Sequence, residues 1–381
     1  MKKKGSPRSA DGGKSRRLRP DAPPLTFEQL LERKNTPATQ PVPARVRQLL
    51  STTRVYVQSS GDRLAKPARF TKLDDTDAGY RLELPDNARL GAPGRSGGAA
   101  SARELAKYRP AQNHAAGYCP PWMEKQFHPI PSLAGDHDQA VTHDGAVITP
   151  HRVFPPEDRV VYYPKYYPMS LIGRVFTLVN GQSAGGGTGV LIGRRHVLTA
   201  AHICPWNAPN WGMMFFPGFY DGVSVAGNGA MSWASDWRAL ANVTAQDSVR
   251  SSDLAVLRLY DPLGDALGFF GAKVYQPGWG PLTWGLHGYP SAIANALRPS
   301  GHAGIGVIRA NADGERLELT HRGDATAGDS GAPLWHFWGD DIAYAIGVQS
   351  AGRVNSTEDV NVAAGGLAMV NMINFWRNTW P

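Results

Sequence analysis

A serine flanked by glycines, in Gly328-Asp329-Ser330-Gly331-Ala332-Pro333, lies in a stretch with the composition of a turn, not of a strand or helix. At such a bend a hydroxyl is presented outward while backbone N–H groups stay available to a developing oxyanion. Acyl transfer needs that arrangement. A serine hydroxyl is a weak nucleophile, so the stretch has chemical meaning only beside a histidine base and a carboxylate that orients it. Both occur in suitable contexts. His202 closes the run Val197-Leu198-Thr199-Ala200-Ala201-His202, and of the 11 histidines it alone ends an apolar strand pattern of this kind. Asp253 opens Asp253-Leu254-Ala255-Val256-Leu257, where an aspartate is expected to be partly buried, as suits a group that fixes the tautomer of an imidazole. Asp253 follows His202 by 51 residues and precedes Ser330 by 77.

The elements that must position these three groups are short. From about residue 160 onward the chain consists of β-rich runs punctuated by Gly and Pro, at 176–179, 189–192, 196–199, 254–260, 282–286, 304–309, 316–320, 332–337 and 344–349. Many short strands at such spacing predict an all-β sandwich or pair of barrels, not alternating β and α units. Only 367–380 has helical periodicity, with Met369, Ile373, Trp376 and Trp380 on one apolar face able to dock on the β core.

Taken in order, Thr199-Ala200-Ala201-His202, Asp253-Leu254-Ala255-Val256 and the Ser330 stretch resemble the trypsin/chymotrypsin superfamily of serine endopeptidases. The resemblance extends to Gly-Gly-Gly-Thr-Gly-Val-Leu-Ile at 185–192, to Gly288-Tyr289-Pro290 and to Ile346-Gly347-Val348. Gly-Tyr-Pro and the lack of the usual disulfides make the chain more similar to the bacterial branch that contains the glutamyl endopeptidases than to digestive trypsins. The match covers about residues 150–381 and implies two packed six-stranded antiparallel β-barrels with a C-terminal helix. In that fold His202 and Asp253 sit on the first barrel, Ser330 sits on the second, and the backbone N–H groups of Gly328 and Ser330 form the oxyanion hole. Ser350-Ala351-Gly352 matches the segment that pairs with substrate backbone, and Ser350 is placed to bond Asp253.

For specificity the resemblance implies less. Asp324 falls where trypsins carry the pocket-floor carboxylate for Arg or Lys, but glutamyl endopeptidases often have Asp there too. Gln349 stands where those enzymes use a histidine, which disfavours acidic preference and leaves basic, small or apolar preference open. Asp329 falls where trypsins pair a freed N-terminal ammonium. Arg152-Val153 and Arg159-Val160 are candidate cuts for such activation, although neither is followed by Ile-Val-Gly-Gly. Cys119 and Cys204, the only cysteines, permit one bridge that would keep a cleaved leader attached.

Composition divides the 381-residue chain into a leader, 1–145, and a protease-like part, 146–381. Residues 1–110 hold 23 Lys/Arg against 11 Asp/Glu and the remainder 17 against 21, giving the net +8 and placing the basicity in the leader. Residues 1–24 have too few apolar side chains to offset the entropy of ordering, and the leader as a whole reads as a mostly flexible pro-segment. No run approaches the roughly 20 apolar residues of a membrane span, and no export signal is visible. The expectation is therefore a monomeric serine endopeptidase acting on proteins or peptides in an extracellular or cell-envelope setting, with no cofactor, metal or nucleic acid required. Asp136-His137-Asp138 with His143-Asp144 reads as a polar surface loop, not a metal site. Two rival functions stay open: a non-catalytic homologue acting through its surface, and a leader-driven binder of nucleic acid or membrane surfaces.

Overall fold

Short apolar runs separated by Gly and Pro close into two rings of strands. The computed structural model describes residues 22–51, 97–107, 113–128 and 153–381, with gaps at 156, 181, 209, 228–229, 244–249, 281–282 and 355–358, together with the backbone of four short strands between 55 and 83. The basic arm expected at 1–24, apart from 22–24, lies outside the described residues, as do the acidic-histidine cluster at 136–144 and Arg152.

The first ring comprises β1 (Ile172–Val179), β2 (Gln182–Gly193), β3 (His196–Thr199), β4 (Trp211–Pro217), β5 (Ser232–Ala239) and β6 (Ala255–Leu259). Its order is β4-β1-β2-β3-β6-β5, and β4 pairs with β5 to close it, so every strand in the ring has two neighbours. The second uses β7 (Trp284–Gly288), β8 (Ser300–Ile305), β9 (Val307–Asp313), β10 (Arg316–His321), β11 (Pro333–Phe337), β12 (Ala343–Val354) and β13 (Asp359–Gly366). Their order is β9-β10-β13-β12-β11-β7-β8. The end strands β8 and β9 are separated in the chain by Gly306 alone, so one bent run, 300–313, returns the sheet to its start and makes a second six-membered ring. All ladders within the two rings are antiparallel, as the alternation of short strands and turns requires.

Burial explains why the strands of the first ring read as unbroken apolar runs. Val197, Leu198, Val256 and Leu257 are fully buried, with Met369, Ile373 and Trp376 of the C-terminal helix in the same core. That helix (Leu367–Thr379) follows the periodicity read at 367–380 and buries the face predicted for it. The second ring has its own aromatic core around Trp279, Trp284 and Trp338.

The described part of the leader is docked, which its composition did not suggest. Helix α1 (Phe27–Leu31) is capped by Thr26, and just before it Leu25 donates its N–H to Phe337 O of β11 (2.9 Å). His336 Nε2 bonds Leu25 O (2.9 Å), and Trp338 Nε1 donates to Ala22 O (2.8 Å). Farther on, helix α2 (Ala44–Leu50) buries Val46 and Leu50 beside the short helix α3 (Leu263–Leu267) of the first half. Residues 22–51 thus cross the back of both rings. Around residues 22–25 the leader docks through its backbone groups, which a count of apolar residues does not register.

Four buried histidines make the fold acid-sensitive. Burial pushes His196, His321 and His336 down to about 4 and His287 to about 3. Unfolding returns each ring to water, where its value is about 6.5. The unfolded chain then binds more protons, so each ring contributes stability above pH 6.5 that is lost as pH falls toward 4, at up to about 1.4 kcal/mol per pH unit. The urea midpoint should accordingly drop between pH 7 and pH 5, the four rings outweighing Asp324 and Asp329, whose raised carboxyls favour the fold as pH falls. A midpoint that stays level over that interval would contradict neutral burial of these rings.

Candidate active site

The three residues singled out for their chemistry meet in the cleft between the rings. After β3 the chain turns through Ala200 and the single turn Ala201–Ile203, and the fully buried Ala200 and Ala201 let it bend tightly enough to aim His202 outward. Asp253, fully buried, enters β6 beneath it. Its Oδ1 accepts the His202 backbone N–H (2.9 Å), and its Oδ2 lies 2.7 Å from His202 Nδ1. The Ser350 hydroxyl, from β12, donates to the same Oδ2. On the other edge of the imidazole, Nε2 stands 2.8 Å from Ser330 Oγ. A hydroxyl, an imidazole and a buried carboxylate thus form one hydrogen-bonded chain with His202 16% exposed at the cleft surface.

Burial acts to raise the Asp253 carboxyl, but the facing His202 ring and the donors from His202 and Ser350 outweigh it and hold the group below the ordinary carboxylate range. An ionised, oriented carboxylate fixes the Nδ1–H tautomer and leaves Nε2 free to accept a proton.

The turn carrying Ser330 depends on glycine where contacts are closest. Gly328 has φ +98°, and a Cβ there would come within 2.3 Å of Tyr289 O, so only glycine fits. Among the described residues its N–H donates to no protein acceptor, whereas its carbonyl accepts the Thr188 hydroxyl (2.8 Å). Thr188 joins the two halves more widely. Its N–H donates to Ser330 O (2.8 Å) and its Oγ1 accepts the Tyr289 N–H (3.0 Å). This approach requires the glycine run of β2, since a Cβ on Gly187 would lie 2.5 Å from Ser330 O. The run 185–189 was legible as part of a motif, but the role of Thr188 as the link was not.

Asp329 is enclosed beneath the turn. Its Oδ2 accepts the Thr326 N–H (2.9 Å) and meets Arg159 Nη1 at 3.2 Å. Burial pushes its carboxyl up to about 7, with Arg159, the Thr326 N–H and Arg174 pulling the other way. Arg159, flagged in the sequence only as a possible cut point, is thus an interior residue.

Asp324 is also internal, only 3% exposed. Its Oδ1 accepts the Phe154 N–H (2.7 Å) and its Oδ2 the Asp158 N–H (3.5 Å), tying the segment ahead of the first ring to the second. Burial pushes its carboxyl up to about 6 against those donors. Asp158, His302 and Asp324 bring possible ligand atoms within 4.8 Å of one another. Both nitrogens of His302 are engaged, however, Nδ1 with Asp158 (2.6 Å) and Nε2 with the Asp324 N–H (2.9 Å). Ala351 and Gly352 lie in β12, paired with Val362 and Asn361 of β13. The β11 ladder stops at Val348, so the opposite edge of 350–352 has no ladder partner among the described residues. Cys119 and Cys204 are unbridged; burial pushes the first thiol up to about 12 and the second well above its ordinary value, away from the reactive thiolate form.

No family model matches this chain, and no curated protein matches it either. Among solved structures it is similar to a Glu endopeptidase in complex with MPD, at 19% identity over 60% of this chain and 100% of that one, with TM-score 0.47. It is also similar to the protease Anisep from Arthrobacter nicotinovorans, at 17% identity over 58% and 99% of the two chains, TM-score 0.42. A third is the thermostable serine protease AL20 from an extremophilic microorganism, at 17% identity over 55% and 97%, TM-score 0.41. The trypsin-like, two-barrel fold of this chain is read from its own strand order.

Proposed function

We propose that this protein is a serine endopeptidase that hydrolyses peptide bonds through an acyl-enzyme formed on Ser330. The observation that carries the reading is the unbroken chain Ser330 Oγ, His202 and Asp253, with separations of 2.8 and 2.7 Å. In it His202 Nε2 takes the serine proton as Oγ attacks the scissile carbonyl, then delivers that proton to the leaving amine. Water, deprotonated by the same nitrogen, releases the acyl group. Asp253 holds the imidazole and balances its charge, and Ser350 holds Asp253. The backbone N–H groups of Gly328 and Ser330 receive the oxyanion, each such donor being worth roughly 3–4 kcal/mol in comparable sites.

The open edge of Ser350, Ala351 and Gly352 suits an extended substrate added as a further strand, with main-chain hydrogen bonds supplying affinity. A substrate role for Asp324 rests on its place six residues before Ser330, and its oxygens already serve the Phe154 and Asp158 N–H groups. Among the described residues no helix is long and apolar enough to cross a membrane.

A fluorophosphonate probe tests the reading, because it phosphonylates a serine only where a neighbouring base activates the hydroxyl. Mass spectrometry should place one adduct on Ser330, absent from His202→Ala. An unlabelled, folded protein would favour the non-catalytic alternative.

A further inference from the structure

We infer that Arg159 supplies, from within the uncut chain, the buried cation that holds Asp329 and so keeps the Gly328–Ser330 turn in its oxyanion-binding shape, which makes the full-length protein competent without cleavage at 152–160. The inference rests on the proposed role of Ser330 and names how that site is kept in working order.

The guanidinium is almost wholly enclosed, 2% exposed against 4% for the Asp329 side chain. One edge forks onto Glu157, with Nε to Oε1 at 2.8 Å and Nη2 to Oε2 at 2.6 Å. Nη1 then points into the turn, 3.2 Å from both Asp329 Oδ2 and Thr326 Oγ1. Thr326 and Asp329 are the ends of the same bend, since the Asp329 N–H donates to Thr326 O (3.0 Å) and the Thr326 N–H to Asp329 Oδ2. A single nitrogen therefore clamps the loop that contains Gly328 and runs directly into Ser330, the two residues whose N–H groups are the proposed oxyanion donors. On its other side Asp329 Oδ1 packs closely on Gly288, where a Cβ would lie 2.4 Å away, and the buried Arg174 adds a second positive charge whose pull is weaker than that of Arg159.

The backbone around Arg159 is pinned on both sides. Val160 and Val161 pair with Gly301 and Ser300 of β8, while the N–H groups of Phe154 and Asp158 bond Asp324. A protease that reads arginine needs that side chain in its pocket, and here it is buried beneath the nucleophile turn. The Arg159-Val160 bond is thus shielded, and the charge that a cut would be needed to create is already in place. Removing the guanidinium leaves the buried Asp329 carboxyl beside Ser330 without its ion-pair partner, a cost relieved by proton uptake or by movement of the turn.

The test uses the full 381-residue chain, with intact mass checked before and after assay, and compares wild type with Arg159→Met. Expected is fluorophosphonate labelling of the uncut wild type. In Arg159→Met, kcat on a peptide ester should fall by at least about tenfold while KM moves less than about twofold, the pattern of an interaction felt in the transition state. Loss of stability alone would lower the folded fraction but leave kcat per folded molecule unchanged. The double variant Arg159→Met/Asp329→Asn leaves no charge stranded under the turn, exposes Glu157 to water that already reaches a third of its side chain, and keeps an acceptor for the Thr326 N–H, so its kcat should recover most of the loss. It decides the matter if Arg159→Met does not fold. Wild-type kcat in Arg159→Met, or a folded but inactive double variant, overturns the inference. So does an intact wild type that is inert until cut between 152 and 160, an outcome that would leave Ser330 as nucleophile. A wild type unlabelled both cut and uncut removes the peptidase reading itself, and the inference with it.

Discussion

Ser330→Ala folds and melts within about 1 kcal/mol of wild type yet loses peptidase turnover by a factor on the order of 10⁶. The substitution removes one oxygen from a residue 5% exposed, so packing changes little. What disappears is the oxygen 2.8 Å from His202 Nε2 that would bond to the acyl carbon. The residual rate should come from binding and the oxyanion donors, which remain in place. Urea midpoints and single-turnover assays on both proteins check it. Turnover within tenfold of wild type would show that peptide cleavage uses another nucleophile.

Asp253→Asn should cost about 10⁴ in kcat with little change in KM, for a reason of tautomer and not of shape. The carboxylate accepts three hydrogen bonds, two from His202 and one from Ser350. An amide has one acceptor oxygen. If that oxygen keeps the His202 backbone N–H, its NH₂ faces Nδ1 and the Ser350 hydroxyl. Nδ1 must then accept, the ring proton moves to Nε2, and the nitrogen facing Ser330 can no longer take a proton. Nitrogen-resolved NMR of the imidazole, together with kcat, checks both halves. A loss of less than tenfold, or an unchanged Nδ1–H signal, would remove Asp253 from the relay.

The sequence made the proposed catalytic chain legible because each member sits where local pattern and chemistry coincide. His202 follows two alanines that pack with no more than a methyl group each, Asp253 opens an apolar strand, and Ser330 lies between glycines that have positive φ at 328 and 331. The all-β architecture was likewise foreseeable from the many short runs, whereas two six-stranded rings in place of a sandwich followed only from the resemblance. Arg159 was not. An arginine ahead of a valine reads as a processing point, and only the fold brings it beside a residue 170 positions later. Asp324 shows the same limit, since its spacing from Ser330 says nothing of the backbone donors at 154 and 158. The docked leader escaped notice although 25–34 and 44–50 have some helical spacing, because both runs are short and flanked by Pro and nothing local names the surfaces that receive Leu25, Val46 and Leu50.

The strap formed by residues 22–25 also sets the order in which the protein can be finished. Trp338 reaches back 316 positions to Ala22, and His336 reaches back 311 to Leu25. Closing so long a loop costs about 5 kcal/mol of chain entropy beyond a constant term, and the partners repay it only when both are present. At a synthesis rate of about 5–20 residues per second, the first of these segments waits roughly 15–60 s for the second to be made. Until then the Phe337 acceptor does not exist and the early segment has nothing to grip. A chain interrupted before residue 336 lacks these anchors and cannot fasten the strap, so a fastened strap is a sign that translation has passed Ser330.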